Sequence, residues 1–148
     1  MSSYRQVYYH IVFGTKFREP AINPDHELDL FKYIWGVVKK NNCVLHQLNG
    51  MPDHIHLLSD LHPSVSLSNF IKDIKVSSSI WLKDTGKFPL FTGWQEGYGA
   101  FSCSDRDKER VIGYIKGQKA HHKSENFKEE YIRLLQEHRI KYDEKYLF

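Results

Sequence analysis

His54 and His56 stand one residue apart in Asp53-His54-Ile55-His56-Leu57-Leu58. On a strand, the two-residue period sends both imidazoles to one face and Ile55 and Leu57 to the other. Imidazoles aligned this way converge on a single cation, and Asp53, at the preceding turn, is close enough to orient one of them. An HxH triplet alone also fits two half-exposed strand histidines. A histidine-triad nucleotide hydrolase would need a third histidine at the next same-face position, where Leu58 stands. Further along, Tyr114 and Gln118 are four residues apart and share a helix face, with His122 one turn on. A phenol able to act as nucleophile is thereby presented with metal-ligand candidates. A half-buried tyrosine on an amphipathic helix has the same pattern. Gly117 inside the helix argues against that plainer reading, since it costs about 1 kcal/mol relative to Ala; close approach of a DNA backbone or another chain would explain it.

These groups need elements to carry them. Gln6 to Lys16 is rich in β-branched and aromatic residues and reads as a first strand. Asn23-Pro24 supplies a helix start, with Leu28, Phe31, Trp35 and Val38 on one face of a helix ending near Asn41-Asn42. Cys43 to Gly50 and His54 to Asp60 form the next strands, joined by the Gly50-Met51-Pro52-Asp53 turn. Ser66 caps a second helix marked by Leu67, Phe70, Ile71, Ile74 and Trp81. Pro89, Gly93, Gly97 and Gly99 make Phe88 to Ser102 a loop running into a short strand at Ala100 to Ser102. Ser104 with Asp107 opens a third helix reaching about His122. Ser124 caps a fourth, with Phe127, Tyr131, Leu134, Leu135 and His138 on one face. The order β-α-β-β-α-β-α-α is the split βαβ arrangement of ferredoxin-like and RNA-recognition folds. This α+β class has an antiparallel sheet with helices on one face, additional C-terminal helices, and one sheet face left for function.

The chain's 148 residues suit a single domain spanning 1–148, and 41% hydrophobic and 26% charged residues suit a globular one. A formal charge of +3 is a weak push towards a polyanionic partner. Cys43 and Cys103 lie too far apart for a CxxC site, and neither a thiolate zinc centre nor a disulfide framework is expected. No signal peptide or membrane-spanning run is visible, so a cytoplasmic protein without a membrane partner is expected.

Taken jointly, PDHIHLL at Pro52 to Leu58, WQEGYGAFS at Trp94 to Ser102 and YIKGQKAHH at Tyr114 to His122 resemble the single-tyrosine HUH transposases of small bacterial insertion sequences, including their REP-associated branch. The resemblance covers essentially the whole chain. It implies that His54 and His56 are metal ligands, Tyr114 the nucleophile and Gln118 the third protein ligand. His122 is the alternative, since imidazole is a better donor than an amide. It further implies Mg²⁺ or Mn²⁺ as cofactor, single-stranded DNA with hairpins as substrate, a 5′-phosphotyrosine intermediate, and a homodimer that in some states shares the tyrosine helix between subunits. Gly113 and Gly117 suit a mobile tyrosine helix.

For the DNA itself, Arg5, Lys16, Arg18, Lys72, Lys75 and Lys83 are candidates for phosphates, and Trp94, Tyr98 and Phe101 for stacking on unpaired bases. The competing readings are a non-catalytic RNA-recognition-type module, a metal hydrolase using water as nucleophile, and a domesticated relative acting on chromosomal repeats.

Overall fold

Along β1 (Tyr8–Gly14) successive side chains alternate between two covered surfaces, because the sheet to which it belongs is packed on both faces. The computed structural model describes residues 3–148. After β1 come a 3-10 turn (Lys16–Arg18), α1 (Glu27–Lys40), β2 (Leu45–Met51), β3 (His54–Ser59), α2 (Leu67–Asp84), β4 (Gly99–Cys103), α3 (Lys108–Lys116), α4 (Gln118–His121) and α5 (Phe127–Glu137). The four strands form one antiparallel sheet in the order β2-β3-β1-β4. This is the expected α+β, ferredoxin-like class.

Ile11, Phe13, Ile55 and Leu57 meet Leu30, Ile34, Phe70, Ile71 and Ile74 of α1 and α2 in the main core. Val12 and Phe101 point the other way, onto Phe127, Tyr131, Leu134 and Leu135 of α5, and Leu58 meets Ile115 of α3. The C-terminal helices therefore cover the face that the sequence reading left open for function. An RNA-recognition-type platform is not available on it.

Several local expectations shift. α1 begins at Glu27, not at Asn23-Pro24, because the Asn23 side chain accepts the Asp25 N–H (3.0 Å) and closes a turn instead. Its buried stripe is Leu30, Ile34, Val37 and Val38, whereas Leu28 and Trp35 are exposed. Two apolar stripes overlap on this helix, and the sheet selects one. The third helix breaks at Gly117 into α3 and α4. α5 is capped by Asn126 in a reciprocal capping box with Glu129, not by Ser124. α2 is capped by Ser66 as expected, its oxygen accepting the Asn69 N–H at 3.2 Å.

Close approach of α5 to the strand end requires a glycine at position 14, where a Cβ would stand 2.5 Å from the Phe127 ring. Among the described residues no helix is long and apolar enough to cross a membrane.

Candidate active site

β3 delivers His54 and His56 to the α5 side of the sheet, and both are completely buried. Each imidazole is held from behind. Asp53 Oδ1 lies 2.7 Å from His54 Nδ1, the orienting contact anticipated for it. For His56 the partner is His10 of β1, with Nε2 2.8 Å from His56 Nδ1. The other nitrogens face one carboxylate, Glu130 of α5, itself fully buried: His54 Nε2 is 3.1 Å and His56 Nε2 3.0 Å from its Oε1.

The tyrosine helix reaches the same carboxylate. The Tyr114 hydroxyl donates to Glu130 Oε2 in a short hydrogen bond, and Gln118 Nε2 donates to that oxygen at 3.1 Å. His122 Nε2 is 2.9 Å from Oε1 and 3.0 Å from Gln118 Oε1, which is in turn 3.2 Å from His54 Nε2. Both candidates for the third ligand, Gln118 and His122, thus arrive together beside His54 and His56, and Glu130 joins them as a fifth group. On the outer side, Arg133 Nη2 donates to the Tyr114 hydroxyl at 2.7 Å while Glu125 and Glu137 hold the guanidinium. His121 Nε2 is 3.5 Å from the same hydroxyl and pairs with Glu125.

The hydrogen-bond partners assign the protons. His54 faces a carboxylate at each nitrogen, an arrangement in which both nitrogens can donate and which favours the cationic ring. Burial works against that charge, but the bonds and charges of Asp53 and Glu130 overcome it and raise the pKa. His56 donates to Glu130 and accepts from His10, so it is neutral; burial chiefly, assisted by His54 and His122 and opposed by Glu130, lowers its pKa to about 4. Burial and then His56 also lower His10. Burial would raise Glu130, yet His122, His54 and His56 hold it well below the carboxylate range. Burial and Glu130 raise the Tyr114 phenol, with Arg133 opposing.

A pH dependence follows. A histidine whose folded pKa is depressed contributes stability above its unfolded pKa, near 6.5, and loses it as pH falls towards the folded value. For His56 that is about 3 kcal/mol between pH 6.5 and 4, and His10 acts in the same sense. His54, with its raised pKa, contributes stability that is fully present below pH 6.5 and is lost only as pH rises through its folded value, so its contribution is constant across this window. The melting temperature of the metal-free chain, measured in chelator, is expected to fall on acidification through this window. A flat profile would mean that His56 and His10 take up protons without unfolding.

The donor atoms of His54, His56, His122 and Glu130 lie within 4.8 Å of one another. Separations of 2.9–3.2 Å between neighbouring donors match the edges of a coordination polyhedron with metal–ligand bonds of about 2.1 Å. The set fits a divalent ion. Its imidazole content suits Mn²⁺ at least as well as Mg²⁺.

The DNA candidates divide. Trp94 is buried, with Nε1 3.0 Å from Ser78 Oγ and its ring against Phe13, and Phe101 is buried under α5, so neither is free to stack on bases. Lys75 caps the carbonyls of Gln95 (2.7 Å), Glu96 (3.2 Å) and Gly97 (2.8 Å); it holds a loop, not a phosphate, and burial lowers its pKa to about 8. Arg5, Lys16, Arg18, Lys72 and Lys83 are exposed, and Tyr98 is partly so.

Sequence reasoning missed Glu130, His10 and Arg133. Glu130 had a signal, since it falls on the apolar stripe of Phe127, Tyr131 and Leu134, three residues after the first. His10 alternates with the buried Tyr8 and Val12 on the strand face that receives His56.

The model of the IS200-like transposase family matches residues 3–118. This chain belongs to that family. Among curated IS200-like relatives, the ISDra2 transposase TnpA of Deinococcus radiodurans is 24% identical over 118 residues, covering 76% of this chain and 84% of the relative. The IS200 transposase of Salmonella typhimurium is 26% identical over 115 residues, or 74% of this chain and 75% of its own. A crystal structure of a putative transposase from Deinococcus radiodurans superposes with a TM-score of 0.62 at 24% identity, covering 80% of this chain and 95% of that one. A REP-associated tyrosine transposase bound to a REP hairpin gives 0.59 at 17% identity, covering 82% and 74%. The family match ends at Gln118, so α5, with Glu130 and Arg133, lies beyond it.

Proposed function

We propose that this IS200-like transposase cleaves and rejoins single-stranded DNA at hairpin-bearing ends, with Tyr114 as nucleophile and a divalent ion, Mg²⁺ or Mn²⁺, on His54 and His56. The observation that carries this reading is the meeting of the Tyr114 hydroxyl and both imidazole edges on the single carboxylate of Glu130. Gln118, His122 and Glu130 Oε1 complete the ligand set. When bound, the ion supplies Lewis-acid polarisation of the scissile phosphate. The two oxygens of Glu130 divide the work, Oε1 facing the imidazoles and Oε2 facing the phenol.

Glu130 Oε2 is the acceptor nearest the phenolic proton; although the histidines make it a weak base in the resting site, it can take that proton as Tyr114 Oη forms its bond to phosphorus, because bond formation makes the proton on Oη strongly acidic. The bond to the 3′-oxygen breaks, leaving a 5′-phosphotyrosine and a strand whose 3′-oxygen takes a proton from solvent to end in a 3′-hydroxyl. Arg133 holds Oη in position and balances developing charge on it. On rejoining, a 3′-hydroxyl attacks the phosphotyrosine and releases its proton to solvent, the Oη–phosphorus bond breaks, and the proton on Glu130 returns to Oη. Because one phosphodiester replaces another, no water is consumed. His10 and Asp53 keep the imidazoles aimed and Arg133 keeps the phenol aimed, which is positioning of the kind that favours in-line attack. A protein with this activity would work in the cytoplasm, where the DNA is.

The test is incubation of the chain with single-stranded hairpin DNA, with and without Mn²⁺ or Mg²⁺, followed by a denaturing gel. A metal-dependent covalent complex is expected; metal-dependent cleavage without one would assign the site to a hydrolase. The resemblance points to a homodimer, yet each Tyr114 sits at the histidines of its own chain. Mixing Tyr114→Phe and His54→Ala chains is accordingly expected to restore no cleavage, and restoration would show that tyrosine helices are exchanged.

A further inference from the structure

The turn after β1 holds two consecutive residues, Phe17 and Arg18, in left-handed backbone, with φ of 58° and 57°. Neither is a glycine, and the left-handed region is costly for a residue with a Cβ, most of all a bulky one. The surroundings enforce it: Thr15 N–H donates to the Asp53 carbonyl at 2.8 Å, Lys16 N–H to the Gly93 carbonyl at 2.8 Å, and Thr15 Oγ1 to the Glu19 carbonyl at 2.6 Å. The result is a Phe17 ring left 75% exposed on a rigid tip. The strain brings the ring no place in the core. Strain of this kind collects where a fold presents a group to a ligand.

The location is informative. Phe17 and Arg18 line a pocket of about 250 Å³ with Asp53, Asn126, Phe127 and Lys128, and Asp53 is the residue that holds His54 Nδ1. Lys16, Arg18 and Lys128 are exposed around it, and its one carboxylate is engaged with His54. The Arg18 guanidinium is itself stacked over the Phe148 ring at 4.6 Å. An exposed aromatic ring among cations, beside the histidine strand, is the combination that binds unpaired nucleotides: the ring offers a face to any base and the cations meet phosphates.

We propose that Phe17 is a stacking platform for an unpaired base of the DNA strand entering the active site, with Arg18 and Lys128 on the adjoining phosphates. This rests on the reading of single-stranded DNA as substrate. The platform is sequence-tolerant, and it is built before the DNA arrives.

The experiment is fluorescence anisotropy of the full chain with a fluorescein-labelled oligothymidylate of twelve nucleotides in chelator, so that no covalent chemistry intervenes. Phe17→Ala is expected to weaken binding by roughly 5- to 150-fold, the range for loss of one stacked base. Phe17→Trp is expected to bind at least as tightly as the wild type. Arg18→Ala is expected to reduce the salt dependence by about 0.7 in log–log slope, while Phe17→Ala leaves the slope unchanged. A twelve-unit abasic deoxyribose phosphate chain is expected to bind the wild type and Phe17→Ala equally. Phe17→Gly separates binding from folding, because glycine relieves the backbone: its melting temperature is expected to stay level or rise by about 2–4 °C while binding falls like that of Phe17→Ala. Phe17→Ala binding the oligothymidylate within twofold of the wild type, or losing the abasic chain equally, would overturn the platform. If tyrosine adducts still form in that case, the transferase reading stands. Phe17-dependent binding by a chain that forms no adduct in the separate incubation with hairpin DNA and Mn²⁺ would sink the transferase reading and leave the platform in place.

Discussion

A Tyr114→Phe chain is expected to form no covalent DNA adduct on a denaturing gel while binding single-stranded hairpin DNA within about twofold of the wild type. The substitution removes one oxygen and no ring atoms. Glu130 Oε2 keeps the Gln118 N–H at 3.1 Å, and Arg133 keeps Glu125 and Glu137 at 2.9 and 3.0 Å, so neither charge is left without a partner. Loss of the hydroxyl's hydrogen bonds should therefore cost about 1 kcal/mol of stability. The loss of adducts should nevertheless be complete, because the bond to phosphorus has no other oxygen to form through. Adducts that persist in Tyr114→Phe would place the nucleophile on another residue. Metal binding, followed by Mn²⁺ titration, is expected to be unchanged, which separates loss of the nucleophile from loss of the site.

Glu130→Ala is expected to have the largest effect on the integrity of the site. In the metal-free chain the carboxylate faces His54, His56 and His122 and accepts from Tyr114 and Gln118, with His54, His56 and Gln118 fully buried. Its removal leaves the His54 cation with only Asp53 and strands several buried donors. Breaking a buried charge pair from one side costs about 3–5 kcal/mol, and urea unfolding in chelator would read it. Mn²⁺ affinity, read from the electron paramagnetic resonance of the free ion, should fall by at least about 10- to 100-fold if Oε1 is a ligand, since even loss of an outer-sphere partner costs that much. Tighter Mn²⁺ binding by Glu130→Ala would mean that the carboxylate merely fills the site and must leave before an ion enters. Glu130→Gln keeps the volume and one acceptor, and should fall between the two in stability.

α5 carries Glu130 and Arg133, the two partners of the Tyr114 hydroxyl, and it lies outside the segment matched by the family. The Tyr114 hydroxyl is thereby placed by a helix that the family match does not include. The same helix supplies Phe127, stacked on the His54 ring at 4.1 Å, so that packing and chemistry share one surface.

Read residue by residue, the sequence was most informative where periodicity is strict. Period two on β3 put His54 and His56 together opposite Ile55 and Leu57, and the structure sends the second pair to the main core as that rule requires. The four-residue helical spacing likewise brought Tyr114 and Gln118 to one carboxylate even across the break at Gly117. Ambiguity arose where two patterns overlap. On α1 both Leu28-Phe31-Trp35 and Leu30-Ile34-Val37 satisfy helical spacing, and only the sheet beneath decides between them. For Trp94 and Phe101, aromaticity fits a core as well as a base stack, and tertiary packing chose the core.

The sequence by itself determined the order of elements, the histidine pair and the tyrosine, because these depend on local propensity and on spacings within one strand or one helix. Tertiary structure alone decided what joins them. Glu130 comes from 74 residues beyond His56, and His10 reaches His56 across a strand pair 46 residues apart. No periodicity spans such separations. They are fixed by the covering of the second sheet face, which buries Val12 and Phe101 under α5 and in doing so carries one carboxylate to both the histidine pair and the Tyr114 hydroxyl.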